Sequence, residues 1–251
     1  MSASLGGASA GAIAAFRRAA LPAEESRALA RIAKEPDLAR TMEQFKRAVD
    51  RAPDARTALR DPRVLAVIGQ ALGIPQAATQ PGLASRALLS DLTKPGSVAN
   101  NLSDKRWKEA AASLKLATGG IQSLRDPKVQ ATLLDGLRRA RLREEQDRQI
   151  PGLGDALEFR NRAARAKTSF DVLGDSVLRR VVTGALGLPQ QLALQSVEAQ
   201  GRAVDSRLKV ATLQNPKEVN RLAERYLVNM PATSGAGVLD TSSLAQFGFN
   251  V

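Results

Sequence analysis

Three times in this chain an Asp or Asn stands directly before a Pro, and each time an apolar run of helical period follows: Asp61-Pro62, Asp126-Pro127 and Asn215-Pro216. The pair has a specific physical meaning. The side-chain oxygen accepts from the free N–H groups of a first helical turn, and a proline in that turn has no N–H to lose and a φ that is already helical. In the third case Glu218 occupies the position from which a capping-box acid reaches back to the cap. A chain punctuated in this way is expected to fold as helices.

The runs between these marks agree. DPRVLAVIGQALGIP (61–75) carries Val64, Leu65, Val67, Ile68, Ala71 and Leu72, with Gly73 placed for a left-handed stop and Pro75 blocking continuation. Leu38, Met42, Phe45 and Val49 recur at spacings of four, three and four, one stripe of an amphipathic helix. Ser103 is positioned to cap a helix carrying Trp107, Ala111 and Leu114 that stops at Gly119-Gly120. A longer helix runs from Pro127 towards Gln149 with Val129, Leu133 and Leu137 inward, and IPGLGD (150–155) is a turn before a helix over about 155–167. The last two are expected from about Gln190 to Leu213 and from Pro216 to Val228. Nothing alternates with period two, and aromatic residues are only 3% of the chain, so Leu, Val, Ile and Ala must fill the core. The expectation is an all-α body of eight to ten helices over 21–230, with a flexible arm over 1–20 and a tail over 231–251.

One segment returns. DPRVLAVIGQALGIPQ (61–76) aligns without gaps on DSVLRRVVTGALGLPQ (175–190), and identities at seven of sixteen positions include ALG-x-PQ. The echo reads either as a duplicated structural unit, giving two pseudo-repeated helical halves, or as two helices that share the same start and stop grammar. Both readings stay open at this level.

The chain contains no Cys and no His. Thiol nucleophiles, disulfides, Cys/His zinc sites and imidazole bases are therefore excluded together. Gly7-Ala8-Ser9-Ala10-Gly11 has the letters of a nucleophile elbow, but that motif needs a preceding strand and a base. Ser206-Arg207-Leu208-Lys209 matches S-x-x-K without a companion motif and reads as a helix face. Gly119-Gly120 and Gly152-Leu153-Gly154 are not followed by the residues a phosphate loop requires. The neighbours Glu24-Glu25 and Glu144-Glu145 diverge around a helix and cannot converge on a substrate. No catalytic residue, cofactor site or metal site is expected, and the chain is not expected to be an enzyme.

A net charge of +12 raises the question of a polyanionic partner. Residues 1–60 hold 11 basic and 7 acidic groups, 61–124 hold 7 and 4, 125–167 hold 11 and 7, and 168–230 hold 8 and 6. The excess is spread over every segment, whereas a binding tail would concentrate it. Arg139, Arg141, Arg143 and Arg148 form the densest cluster, interrupted by Glu144, Glu145 and Asp147. Solvated helix faces are the simpler reading. No stretch approaches the roughly 20 apolar residues of a transmembrane helix. The first fifteen residues, MSASLGGASAGAIAA, lack the basic start of a cleaved secretory signal. The tail PATSGAGVLDTSSLAQFGFNV holds one charge but carries Val238, Leu239, Leu244, Phe247 and Phe249, and is read as docking on its own body or on a partner.

Three stretches resemble a bacterial family of unknown biochemical function encoded mainly in flagellar gene clusters of alphaproteobacteria. They are the helix ending ALGIPQ (71–76), the segment ALLSDLTKPGSVANNLSDKRWKEAAASLKL (87–116), and ALEFRNRAARAKTSFDVLGDSVLRRVVTGALGLP (156–189). The likeness spans roughly 55–230. Within it Ser97, Asn100, Asn101 and Asp104 look like capping and loop residues, while Leu137 and Leu142 stand where the family carries an aromatic residue on the long middle helix. The resemblance implies a non-enzymatic structural or assembly component of the flagellum with flagellar proteins as partners, exported without a cleaved signal. The alternatives are a basic helical protein that binds nucleic acid or another polyanion, and a cytoplasmic chaperone or adaptor for exported subunits.

Overall fold

A computed structural model describes residues 2–230; the tail expected over 231–251 lies outside the described residues. These residues contain sixteen α-helices and no strand. An N-terminal hairpin is made by α1 (Ser2–Ala19) and α2 (Pro22–Ile32). A first unit follows with α3 (Pro36–Arg51), α4 (Ala55–Ala58), α5 (Pro62–Ala71), α6 (Gln76–Thr79), α7 (Pro81–Leu88), α8 (Val98–Asn101), α9 (Arg106–Leu114), α10 (Leu116–Arg125) and the long α11 (Pro127–Gln149). A second unit holds α12 (Leu153–Arg162), α13 (Ser169–Gly174), α14 (Ser176–Ala185), α15 (Val197–Asp205) and α16 (Pro216–Asn229), with 3-10 turns at Ala163–Arg165, Gln190–Leu194 and Val210–Gln214.

The three caps form as the dipeptides require. Asp61, Asp126 and Asn215 each accept from the backbone N–H two residues on, at 2.9, 2.8 and 3.0 Å. The apolar stripes then close two cores. In the first, Met42, Phe45 and Val49 of α3 meet Val64, Leu65 and Ile68 of α5, with Leu133 and Leu137 of α11 across them. In the second, Phe159 of α12, Leu178, Val181 and Val182 of α14, and Leu222 and Tyr226 of α16 make the same kind of layer. Ile68 and Val182 are both fully buried, which stabilises each helix by about 2 kcal/mol relative to exposure.

The echo is a structural repeat. Phe45 and Phe159 occupy equivalent positions and are both fully buried. Asp54 caps α4 where Thr168 caps α13, and Asp61 caps α5 where Asp175 caps α14. Gly73 and Gly187 end the paired helices in the left-handed region, φ 69° and 60°, which favours a residue without Cβ. The pairing resumes further on: buried Ile121 and Leu124 before Asp126-Pro127 match buried Val210 and Leu213 before Asn215-Pro216. The main helix pair of each unit is also the same, with α5 lying on α11 and α14 on α16. Between the matched parts the first unit has residues 77–120 and the second only 191–209, so α7 and α8 have no counterpart.

Six expectations need correction. The arm over 1–20 is not free: α1 is a helix whose Ala12 and Phe16 are buried in the second core. The described residues form sixteen helices, not eight to ten, because short helices fill the loops and two long segments break. Ser103 makes no cap. Asp104 accepts the Arg106 N–H at 3.0 Å instead, and the helix stops at Lys115, which adopts φ 51° and starts α10. The glycine pair does not end that segment; Gly120 kinks α10 from within. The span 190–213 divides into a 3-10 turn, α15 and a second 3-10 turn, because Ser196 opens a new helix by capping Ala199 N. Finally, Glu218 turns to Arg221 at 3.1 Å and does not close a capping box. The reciprocal box is at Thr168 and Asp171.

Candidate functional site

The two units meet where the end of α5, the start of α9, the middle of α11 and the last turn of α12 come together. Each side chain there is placed by a local feature. Gly73 turns the chain out of α5, and its carbonyl accepts from Arg106, whose own guanidinium is clasped by Asp104 at 2.6 Å. Gly136 lets α11 come so close to α5 that a methyl group on it would overlap the Ala71 carbonyl. On α12, Glu158 and Arg162 are one turn apart and pair at 2.7 Å, and Arg162 also donates to Asp175, the cap of α14.

The electrostatics follow from that geometry. Burial alone would lower the Arg162 pKa, but Asp175 and Glu158 outweigh it and hold the guanidinium above its usual value. Burial likewise pushes the Asp175 carboxyl up, yet Arg162 and the N–H groups of Leu178 and Val177 together hold it below the ordinary carboxylate range. Groups locked in their charged forms are poor proton carriers at neutral pH.

Beside this pair opens a cleft of about 490 Å³. Its charged lining is Arg139, Arg143, Arg162, Arg165, Glu109 and Glu158, above a floor that includes Ala71, Ala110 and Gly136. The arginine cluster on α11 is divided by helix geometry. Arg139 and Arg143 share the cleft face, Arg141 reaches Glu35 at 3.2 Å, and Arg148 donates to the Glu144 carbonyl at 3.3 Å. Sequence reading finds the α11 arginines but not the cleft, because Arg162 and Arg165 join them only through the fold.

A second polar cluster ties α11, α12, α14 and α16 together. Arg180 grips both Asp155 oxygens at 2.7 Å, and the Tyr226 hydroxyl is 3.5 Å from the same carboxylate. Burial raises the Tyr226 pKa to about 12. Half-buried Asp147 accepts the Gly154 N–H at 2.8 Å, but its carboxyl is pushed up, by burial first and by Asp155 beside it. Elsewhere on the second unit large apolar side chains stand in solvent. Phe170 is 52% exposed and Val197 50%, and the Phe170 ring lies over Gly201, one turn beyond Val197 on α15. Leu194, 88% exposed, stands in the 3-10 turn that leads into α15.

The sequence motifs fall elsewhere. Ser9 lies within the continuous helix α1, so no strand–helix elbow surrounds it. Ser206 follows α15 and donates to the Ala203 carbonyl at 2.9 Å, with Lys209 in the next loop. Gly152 makes the turn into α12 with φ 82°. The acidic neighbours diverge: Glu24 pairs with Arg27, Glu25 with Arg139, Glu144 with Arg141 and Glu145 with Arg31. Asn100 and Asn101 hold their loop through the carbonyls of Leu92, Lys94, Pro95 and Ser97. Ser97 precedes α8 but makes no side-chain cap. No helix among the described residues is long and apolar enough to cross a membrane.

The fold has a solved counterpart. Protein AGR_C_984 from Agrobacterium tumefaciens superposes with a TM-score of 0.70 over 85% of this chain and 90% of its own, at 24% identity. No curated protein matches the chain. The family described as protein of unknown function (DUF1217) matches residues 71–219, a span that contains every residue lining the cleft. That match covers more than half of the sequence, and the chain belongs to the DUF1217 family.

Proposed function

We propose that the protein is a non-enzymatic structural or assembly component of the bacterial flagellum that leaves the cytoplasm through the flagellar export route without a cleaved signal. The observation that carries the reading is that Phe170 and Val197 stand exposed on one face, while several of the cations are tied to carboxylates of other helices. Arg17–Glu224, Arg31–Glu145, Glu25–Arg139, Arg141–Glu35 and Arg180–Asp155 each join different helices or the turns beside them. Cations committed in this way do not form the open basic face that nucleic-acid binding uses. Exposed aromatic and β-branched side chains fit a protein partner instead. The flagellar assignment comes from the resemblance of residues 71–76, 87–116 and 156–189 described above.

Cell fractionation tests it. The protein should be found in purified hook–basal bodies or the culture supernatant, and its deletion should impair motility. A protein that stays cytoplasmic while motility depends on it is an assembly factor, the adaptor reading. Unchanged motility in a clean deletion would remove the flagellar role.

A further inference from the structure

The cleft between the units presents more donors than the protein uses. Arg143 faces it from α11, and Arg165 from the 3-10 turn that follows α12. Each has a carboxylate only at ion-pair distance: Arg143 Nη1 lies 3.5 Å from Glu158, and Arg165 Nη1 3.6 Å from Glu109. Glu158 is already hydrogen-bonded to Arg162 at 2.7 Å. Arg139 lines the cleft one turn before Arg143 on the same helix face, but is held by Asp135 at 3.0 Å and Glu25 at 3.2 Å. Of the four guanidinium groups that line the cleft, Arg143 and Arg165 are thus the two without a hydrogen-bonded carboxylate, and the small side chains of Ala71 and Ala110, with Gly136, leave its floor uncovered.

We propose that this cleft binds carboxylate side chains of an acidic segment in a protein partner. The planar guanidinium fork matches a carboxylate with two parallel hydrogen bonds, and Arg143 and Arg165 have donors to give. The volume of about 490 Å³ lies in the range of binding pockets. Ala71 and Leu72 on the lining suit a short aliphatic stem. Glu109 and Glu158 decide against a nucleic acid, because a continuous phosphate chain would have to pass both, whereas separate carboxylates can avoid them. Such a cleft would take an acidic segment wherever in the cell the protein works.

The test is a titration of the full chain with fluorescein-labelled hexaglutamate at low and at physiological salt. A short duplex DNA and inorganic phosphate serve as competitors. Saturable binding is expected, weakened about tenfold or more in the Arg143→Gln, Arg165→Gln double variant. It should be unchanged in Arg47→Gln, whose partner Glu43 lies on α3 outside the cleft. Arg165 is 65% exposed, so Arg165→Gln alone keeps the fold and should still weaken binding measurably. Bound hexaglutamate should also slow amide exchange in 109–113 and 139–143. Absent binding, or equal affinity in the double variant, overturns the proposal. So does displacement by DNA or by phosphate at equal charge concentration, which would make the cleft a site for phosphate groups.

Discussion

Arg162 donates to the carboxylate of Asp175, and the other oxygen of that carboxylate accepts the Val177 and Leu178 N–H groups at 2.9 and 3.2 Å. One buried side chain thereby fixes the start of α14 and the end of α12 at once. Its repeat partner Asp61 plays only the first of these roles. It caps α5 and pairs with Arg63 two residues away, at the surface.

The difference between these equivalents predicts unequal costs. Asp61→Ala should lower stability by about 1 kcal/mol, the loss of a cap. Asp175→Ala loses a cap and also leaves Arg162, whose side chain is 13% exposed, with Glu158 as its remaining partner. A cost of about 3 kcal/mol is expected, since removing one member of a buried pair strands the other. Urea unfolding of the two variants measures the gap. Equal costs would mean that the Arg162 contact contributes nothing net.

Gly136 separates helix propensity from packing. In an exposed helix Gly→Ala gains up to about 1 kcal/mol, and Gly11→Ala in α1, where a Cβ meets nothing within 4 Å, should be neutral or slightly stabilising. Gly136→Ala should destabilise by about 2 kcal/mol, because the methyl group would enter the Ala71 carbonyl and α5 must retreat. A gain at Gly136 would show that α5 and α11 are free to move apart.

Sequence reading succeeded where the physics is local. Asp61, Asp126 and Asn215 cap because a cap and its N–H donors lie within three residues, and the buried faces at Phe45, Ile68 and Val182 follow from periodicity alone. It failed where distant residues decide. Nothing in the sequence marks Lys115 for a left-handed conformation, and Ser103 loses its capping role to Asp104, whose partner Arg106 is anchored on Gly73. The cleft draws on four stretches far apart in sequence, 71–73, 109–113, 136–143 and 158–165, which only the fold brings together. The N-terminal helix was legible in part: the segment is rich in Ala, the best helix former, and Ala12 and Phe16 stand one turn apart.

Phe16 is 1% exposed among residues of the second core, and α1 is further tied to it by Arg17 on Glu224 at 2.8 Å. Phe16→Ala should therefore cost about 3 kcal/mol. Leu21→Ala, at a site 53% exposed in the turn to α2, should stay within about 0.5 kcal/mol. Deletion of residues 2–14 is expected to lower stability, since it removes buried Ala12. An unchanged unfolding midpoint for Phe16→Ala would mean that α1 unfolds apart from the body.

Asp147 gives the pH dependence an unusual sign. Its carboxyl is pushed above the ordinary value, by burial first and then by Asp155, against the opposing Gly154 N–H and the charges of Arg180 and Arg143. A raised carboxyl contributes stability that is fully present below the unfolded value of about 3.9 and is lost as pH rises through the native value. Asp175, held below its ordinary value, acts in the reverse sense and loses its contribution as the solution becomes more acid. Asp147→Asn keeps an acceptor for Gly154 and removes the charge. It should stabilise the protein at neutral pH and flatten the fall in stability above roughly pH 4. Unfolding free energies of both proteins across that range measure the effect. A variant less stable than the parent at neutral pH would show that the ionised carboxylate gains more from Arg180 and Arg143 than it loses to burial and Asp155.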